Sequence, residues 1–272
     1  MSEKTIDGES RSSIRSYFGG LGKQIFKPRE ISQLVTSHRG AWGVPQSCSA
    51  EDVMTAVAEE TGLQMVKFSF PSRPESRYLL GDLSVYEVIL SLRPNCYFTH
   101  STALYLNGLS ESEPTVIYVN SEQSPKPRWD SSLSQEGIDR AFKRPPRITN
   151  NTAQFREYTV FLLSGKNTGN LGVVSSEFQG SALRVTNVER TLIDVTVRPS
   201  YAGEITDVLR AYQCAKDKMS TEVLSDTLRR LDHLYPYHQS IGFLLEKAGV
   251  FTDAEIEPIR QLPREFDCQG AR

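Results

Sequence analysis

Residues Tyr97-Phe98-Thr99-His100-Ser101-Thr102-Ala103-Leu104-Tyr105-Leu106-Asn107-Gly108-Leu109 change structural period within a single short stretch. The aromatic pair suits an extended segment. Thr99, His100 and Ser101 supply a polar start, Ala103, Leu104 and Leu106 a short apolar helix, and Gly108 its stop. Residues before this stretch read as a compact helix-and-hairpin module and residues after it as a larger mixed domain. The stretch is therefore expected to be the short packed helix on which the two meet, and Leu104 and Leu106 are expected in its core.

On the N-terminal side, residues 1–10 are polar and read as a disordered tail. From Arg11 onward Ile14, Tyr17, Phe18 and Leu21 recur at helical spacing, and Gly19-Gly20 ends the run. Pro28 suits a first helical position, followed by Ile31, Leu34 and Val35, with Gly40 as the stop. A third helix starts at Ser49 with acid in its first turn and buries Val53, Met54 and Val57, and Gly62 closes it. Val66, Phe68 and Phe70 then alternate with Lys67 and Ser69, the period of a half-buried strand. After the turn Pro71–Ser76, residues 77–80 form the return strand. Three helices followed by a hairpin is the layout of a winged helix-turn-helix domain. A further helix begins at the capping box Ser84-x-x-Glu87 and ends at Pro94.

Beyond residue 109, Thr115–Val119 is a strand by its β-branched and aromatic content. Residues 120–150 read as a long polar excursion carrying a basic run, Arg140, Lys143, Arg144 and Arg147, around Pro145-Pro146. Strand-like segments follow at 155–164, 171–175 and 183–185. Helices then take over. The first begins at a Thr186-x-x-Glu189 capping box. Others run from Ile205 to Met219, after Ser220, from Ile241 to Gly249, and after the capping box Thr252-x-x-Glu255. The expected fold class is α+β: a winged helix-turn-helix domain at 11–93, a mixed α+β domain at 94–262, and a C-terminal tail at 263–272.

The 38% hydrophobic and 24% charged residues fit a soluble chain. No apolar run reaches the roughly 18 residues of a membrane span, and the N-terminus lacks a signal peptide pattern, so no membrane association and a cytoplasmic location are expected. Cys48, Cys96, Cys214 and Cys268 are widely spaced, which argues for reduced structural thiols rather than zinc, and no metal or cofactor is expected. The adjacent His100-Ser101 with distant Asp194 is weighed as catalytic material and set aside, because neighbouring residues on a helix do not face each other. His100 is read as capping or packing against its helix, and His238 as a structural histidine. A hydrolase or nuclease built on His100 and Asp194 ranks last among three readings, and no enzymatic activity is expected.

Nucleic-acid binding is weighed on local charge, because the net charge is only −2. Lys27 and Arg29 at the start of the second helix, with Arg73 and Arg77 flanking the wing turn, suit phosphate contacts. Ser47, Ser49 and Thr55 near the start of the third helix suit base edges. Against this, the third helix carries Glu51, Asp52, Glu59 and Glu60, an acidic outward face. Residues 11–85 hold nine Lys or Arg against seven Asp or Glu. The run Arg140, Lys143, Arg144 and Arg147 is a candidate contact for nucleic acid or an acidic partner.

The order of blocks carries a resemblance. The winged-helix layout leads into residues 97–109, then Ile117-Tyr-Val-Asn-Ser-Glu-Gln-Ser-Pro-Lys126, Arg184-Val-Thr-Asn-Val-Glu-Arg-Thr-Leu-Ile-Asp194 and Tyr235-Pro-Tyr-His-Gln-Ser-Ile-Gly-Phe-Leu-Leu245. Over residues 12–250 this resembles the AbiEi family of bacterial antitoxins and transcriptional regulators. The resemblance implies an N-terminal winged helix that represses the operon's own promoter. It also implies a C-terminal antitoxin domain that counteracts a nucleotidyltransferase-like toxin, in a type IV toxin–antitoxin system of the phage abortive-infection kind. It implies no enzymatic activity and no obligatory stable complex with the toxin. The rival reading is an adaptor whose winged helix binds protein, and the acidic third helix favours that rival.

Overall fold

The computed structural model describes residues 6–126, 134–144, 147–263 and 266. The tail at residues 1–5, Pro145-Pro146, Cys268 and all of 264–272 except Phe266 lie outside the described residues. Among those described, the chain is a mixed α+β protein with two β-sheets, and it divides into two compact units, Met1–Leu92 and Arg93–Arg272.

The first unit starts earlier than the helical periodicity suggests. Helix α1 spans Gly8–Gly19, capped by Asp7, whose carboxylate accepts the Ser10 amide at 2.8 Å. Ile6 is buried, so residues 6–10 are part of the folded unit and not of a tail. A two-residue strand β1, Ile25–Phe26, precedes helix α2, Pro28–His38, and helix α3, Ala50–Thr61. Ser49 caps α3 through the Asp52 amide, and Gly62, at φ +70°, closes it in the left-handed conformation that glycine adopts without strain. Strand β2, Gln64–Phe68, pairs antiparallel with β3, Glu75–Leu79, and β1 adds to the far side of β3, giving the order β1-β3-β2. Helix α4, Val85–Leu90, follows. Ile14, Phe18, Ile31, Trp42, Val53 and Val57 anchor this unit's core.

The second unit is built on a six-stranded sheet, and residues 97–109 lie at its middle. Strand β4, Tyr97–Phe98, is fully buried and passes through Thr99 into helix α5, His100–Leu106. The Gly108 amide returns to the Tyr105 carbonyl and the Leu109 amide to the Leu104 carbonyl. This double bond pattern, with Leu104 and Leu109 in one apolar cluster, ends the helix. Leu104 is buried as expected, while Leu106 is only partly so.

Strand β5, Val116–Asn120, pairs antiparallel with β4. The polar excursion that follows contains a helix absent from the sequence expectation, α6, Gln135–Lys143, capped by Ser134. Ile138 and Phe142 face one side, and Arg140 and Lys143 sit in the last turn, where the helix dipole favours cations.

Strands β6, Thr152–Phe155, and β7, Tyr158–Leu163, form a hairpin, as do β8, Val173–Phe178, and β9, Ser181–Thr186. The second hairpin turns at Gln179-Gly180, both at positive φ, the two-residue turn that matches strand twist. The sheet order is β6-β7-β5-β4-β9-β8. Helix α7, Val188–Val197, is capped by Asn187, not by Thr186, which is still the last residue of β9. A 3-10 turn at Pro199–Tyr201 leads to α8, Ile205–Cys214, then α9, Thr221–Leu231, α10, Tyr237–Ala248, and α11, Asp253–Arg260. Leu192, Ile193, Tyr212, Leu224, Ile241 and Leu245 form the centre of this helical layer.

Candidate functional site

In the first unit the cationic residues separate into two kinds. Lys27 and Arg29, at the start of α2, are exposed, and so is Arg73 in the turn between β2 and β3. The Arg73 side chain is 80% exposed and lies 3.8 Å from Glu75. Arg77 does not fit the phosphate-contact role: its side chain is only 2% exposed. Its position on β3 points it inward, where the guanidinium donates to the Leu92 carbonyl at 2.9 Å and the Ser91 carbonyl at 2.8 Å. A buried cation is tolerated because carbonyl oxygens and Glu75 replace its water. Lys67, read from sequence only as an outward strand position, is a further exposed cation of this hairpin.

The acidic face of α3 also changes character. Glu60 accepts from Arg15 at 2.6 Å and from Arg11 at 3.0 Å, and Glu59 accepts from Arg11 at 2.8 Å. These carboxylates at the end of α3 are neutralised by α1. Asp52 is held in the capping box with Ser49. Ser47, Glu51 and Thr55 are exposed near the start of α3, so one carboxylate stays on that face, while the Ser49 hydroxyl is engaged in its cap.

Arg140, Lys143, Arg144 and Arg147 are all exposed in the second unit. The first three form the C-terminal end of α6 and its cap rather than a loop. Phe142 places that helix against Tyr235 and Tyr237, at ring separations of 5.6 and 5.9 Å.

The same unit contains a cleft of about 580 Å³, within the range of small-molecule sites. Its floor comes from the β4–α5 junction. Thr99 donates to Asp194 on α7 at 2.9 Å, and the other Asp194 oxygen holds the Arg190 Nε at 2.8 Å. Arg190 also donates to the Leu171 carbonyl at 2.7 Å. Glu122 fixes the loop after β7 by accepting the Thr168 amide at 2.8 Å and the Asn170 amide at 3.2 Å. Burial opposes its charge, yet these bonds and those from the Thr168 and Tyr97 hydroxyls hold the carboxyl below its ordinary range.

His100 begins α5 at φ +53°, a conformation that costs a non-glycine residue about 1 kcal/mol. Its ring packs edge-on to Tyr201 at 5.1 Å, it is 8% exposed, and its Nδ1 has no hydrogen-bond partner among the described residues. Burial lowers its pKa to about 4, against an opposing pull from Asp194, while Arg190 and Arg198 lower it further. His233 behaves alike, lowered to about 4 chiefly by burial. Lys166 spans to the end of α9, donating to the Leu231 carbonyl at 3.0 Å and the Asp232 carbonyl at 2.9 Å.

The fold therefore brings His100 and Asp194 into one cleft, although both Asp194 oxygens are engaged by Thr99 and Arg190. Lys166, Arg198 and His233 belong to the same cleft and carry no local sequence signal; only the packing of α7, α9 and the loop after β7 unites them. Among the described residues no group of three His, Cys, Asp or Glu side chains is placed to hold a metal ion. No helix among them is long and apolar enough to cross a membrane.

No protein-family model and no curated protein matches the chain. One solved structure with a similar fold is that of the RV2827C protein from Mycobacterium tuberculosis. It is 13% identical, with a TM-score of 0.54 over 95% of this chain and 82% of that one.

Proposed function

We propose that this chain is a non-enzymatic antitoxin and DNA-binding autoregulator that counteracts a nucleotidyltransferase-like toxin. The observation that carries the DNA half is the first unit's element order. Helices α1 to α3 are followed by the β2–β3 hairpin, with β1 closing a three-stranded sheet, an order that supports a winged-helix reading. In this reading α3 faces the major groove, Ser47 and Thr55 meet base edges, and Lys27, Arg29, Lys67 and Arg73 meet phosphates. The tie of Glu59 and Glu60 to α1 supports it, because it relieves the repulsion that free carboxylates would bring to DNA. The second unit carries the antitoxin activity, with the cationic end of α6 as its contact surface.

A gel shift on duplex DNA from the chain's own promoter tests the first half. Arg29→Ala with Arg73→Ala is expected to lower the salt slope of binding by about two, one per lost phosphate contact. No retention of any duplex at low salt would make the unit a protein-binding module instead. Co-expression with the neighbouring toxin tests the second half: growth should be restored by the wild type, and less well by a variant with Arg140, Lys143 and Arg144 changed to Ala.

A further inference from the structure

The cleft of the second unit has no part in that reading, yet it is built like a binding site. Lys166, Arg190, Arg198 and Arg147 line it, and Asp194 is the one carboxylate among its described lining residues. Asp194 is already matched by Arg190 and Thr99, so the remaining cations leave the cleft with net positive charge. A cation-lined concavity strengthens attraction for an anion relative to open surface. His100 adds a second, independent sign: its ring is more than nine-tenths buried, its Nδ1 is unpartnered, and its backbone is held at positive φ. Strain and an unmet polar atom at one residue are features of sites shaped for a ligand.

We propose that this cleft binds a phosphate-bearing small molecule, its anionic group held among Lys166, Arg198 and Arg147 with the His100 imidazole as a hydrogen-bond partner. Several cations lining one cleft suit an anion carrying more than one charge better than a simple carboxylate, and guanidinium forks match phosphate oxygens. The cleft is larger than a lone phosphate needs, and Tyr201, its ring tilted against Tyr118 at 5.0 Å, offers an aromatic wall for an organic portion.

Isothermal titration calorimetry on the full chain at low ionic strength, with pyrophosphate, ADP and adenosine as probes, tests this. Pyrophosphate and ADP are expected to bind, with adenosine at least tenfold weaker than ADP. Arg198 is exposed, so Arg198→Glu should keep the fold and weaken both phosphate probes at least tenfold. His100→Asn accommodates the positive φ, because asparagine enters that region readily, and should weaken them several-fold with unchanged circular dichroism. ADP binding more tightly than pyrophosphate marks a nucleotide as the source of the phosphate; equal affinities mark free phosphate or pyrophosphate. The proposal is overturned if neither phosphate probe binds at millimolar concentration, if Arg198→Glu leaves their affinity unchanged, or if adenosine binds as tightly as ADP.

Discussion

The Thr99 hydroxyl donates to Asp194 at 2.9 Å, joining the β4–α5 junction to α7 across 95 residues of chain. Arg190, one turn before Asp194, completes the group at 2.8 Å. Both side chains of this ion pair are largely buried, at 8% and 13% exposure. The pair therefore acts as a strut: it fixes the floor of the cleft and cancels its own charge, which leaves Lys166, Arg198 and Arg147 to set the field.

Breaking that strut from one side should be costly. Asp194→Ala leaves Arg190 buried without its counter-charge, and the expected loss is about 3–5 kcal/mol in urea unfolding. Thr99→Val removes one hydrogen bond to the charged group and should cost about 1–3 kcal/mol. A loss below about 1 kcal/mol for Asp194→Ala would mean that water reaches Arg190 and that the strut is not structural.

Two arginines of one hairpin should behave oppositely. Arg73→Ala, at an 80% exposed side chain, should change stability by less than about 0.5 kcal/mol and lower the salt slope of DNA binding by about one. Arg77→Ala deletes a buried guanidinium that satisfies the carbonyls of Ser91 and Leu92, and should cost about 3 kcal/mol or more. Chemical denaturation and salt-dependent gel shifts on both variants separate the roles. Equal stability loss at the two positions would contradict the buried placement of Arg77.

The ion pairs between α1 and α3 give a third test. Glu60→Gln removes the shared carboxylate partner of Arg11 and Arg15, which frees the Arg15 guanidinium beside α3 and leaves Arg11 with Glu59. Melting temperature should fall slightly, and non-specific duplex binding should tighten with a steeper salt dependence. Weaker duplex binding by a folded variant would show that the carboxylate itself serves the interface.

What could be read from the chain follows from which forces are local. Helices α2, α3, α9 and α11 were legible because caps at Ser49, Ser220 and Thr252, Pro28 at a first turn, and apolar spacing all act within a few residues. Helix α6 was missed because one buried residue, Ile138, and a single cap give little periodic signal in a polar segment. Strand β6 carries no strand signal of its own, and β7, β8 and β9 read only as unpaired segments, since register is set by partners and by turns such as Gln179-Gly180. Arg77 looked like a surface charge because no sequence rule reports that a β3 side chain meets the Ser91 and Leu92 carbonyls after α4. The cleft was hidden for the same reason. Its residues come from positions 99 to 233, and only tertiary packing assembles them.

His100 makes the pH dependence of stability calculable in sign. Its folded pKa is lowered to about 4 from 6.5, first by burial and then by Arg190 and Arg198, with Asp194 opposing; the Tyr118 and Tyr201 rings complete its surroundings. The unfolded chain therefore takes up the His100 proton near pH 6.5, while the folded chain resists it until about pH 4. Between those limits the unfolded state binds more protons, so stability is fully present above pH 6.5 and declines as pH falls toward 4. One pKa unit corresponds to about 1.4 kcal/mol, so the full decline from this residue is about 3 kcal/mol. His233, shifted the same way, adds to it in the same window. Urea unfolding from pH 7 to pH 4, wild type against His100→Asn, isolates the His100 part, because carboxylates such as Glu122 titrate alike in both. The difference in stability between the two proteins should shrink as pH falls below 6.5, and parallel curves would show that the imidazole reaches solvent in the folded state.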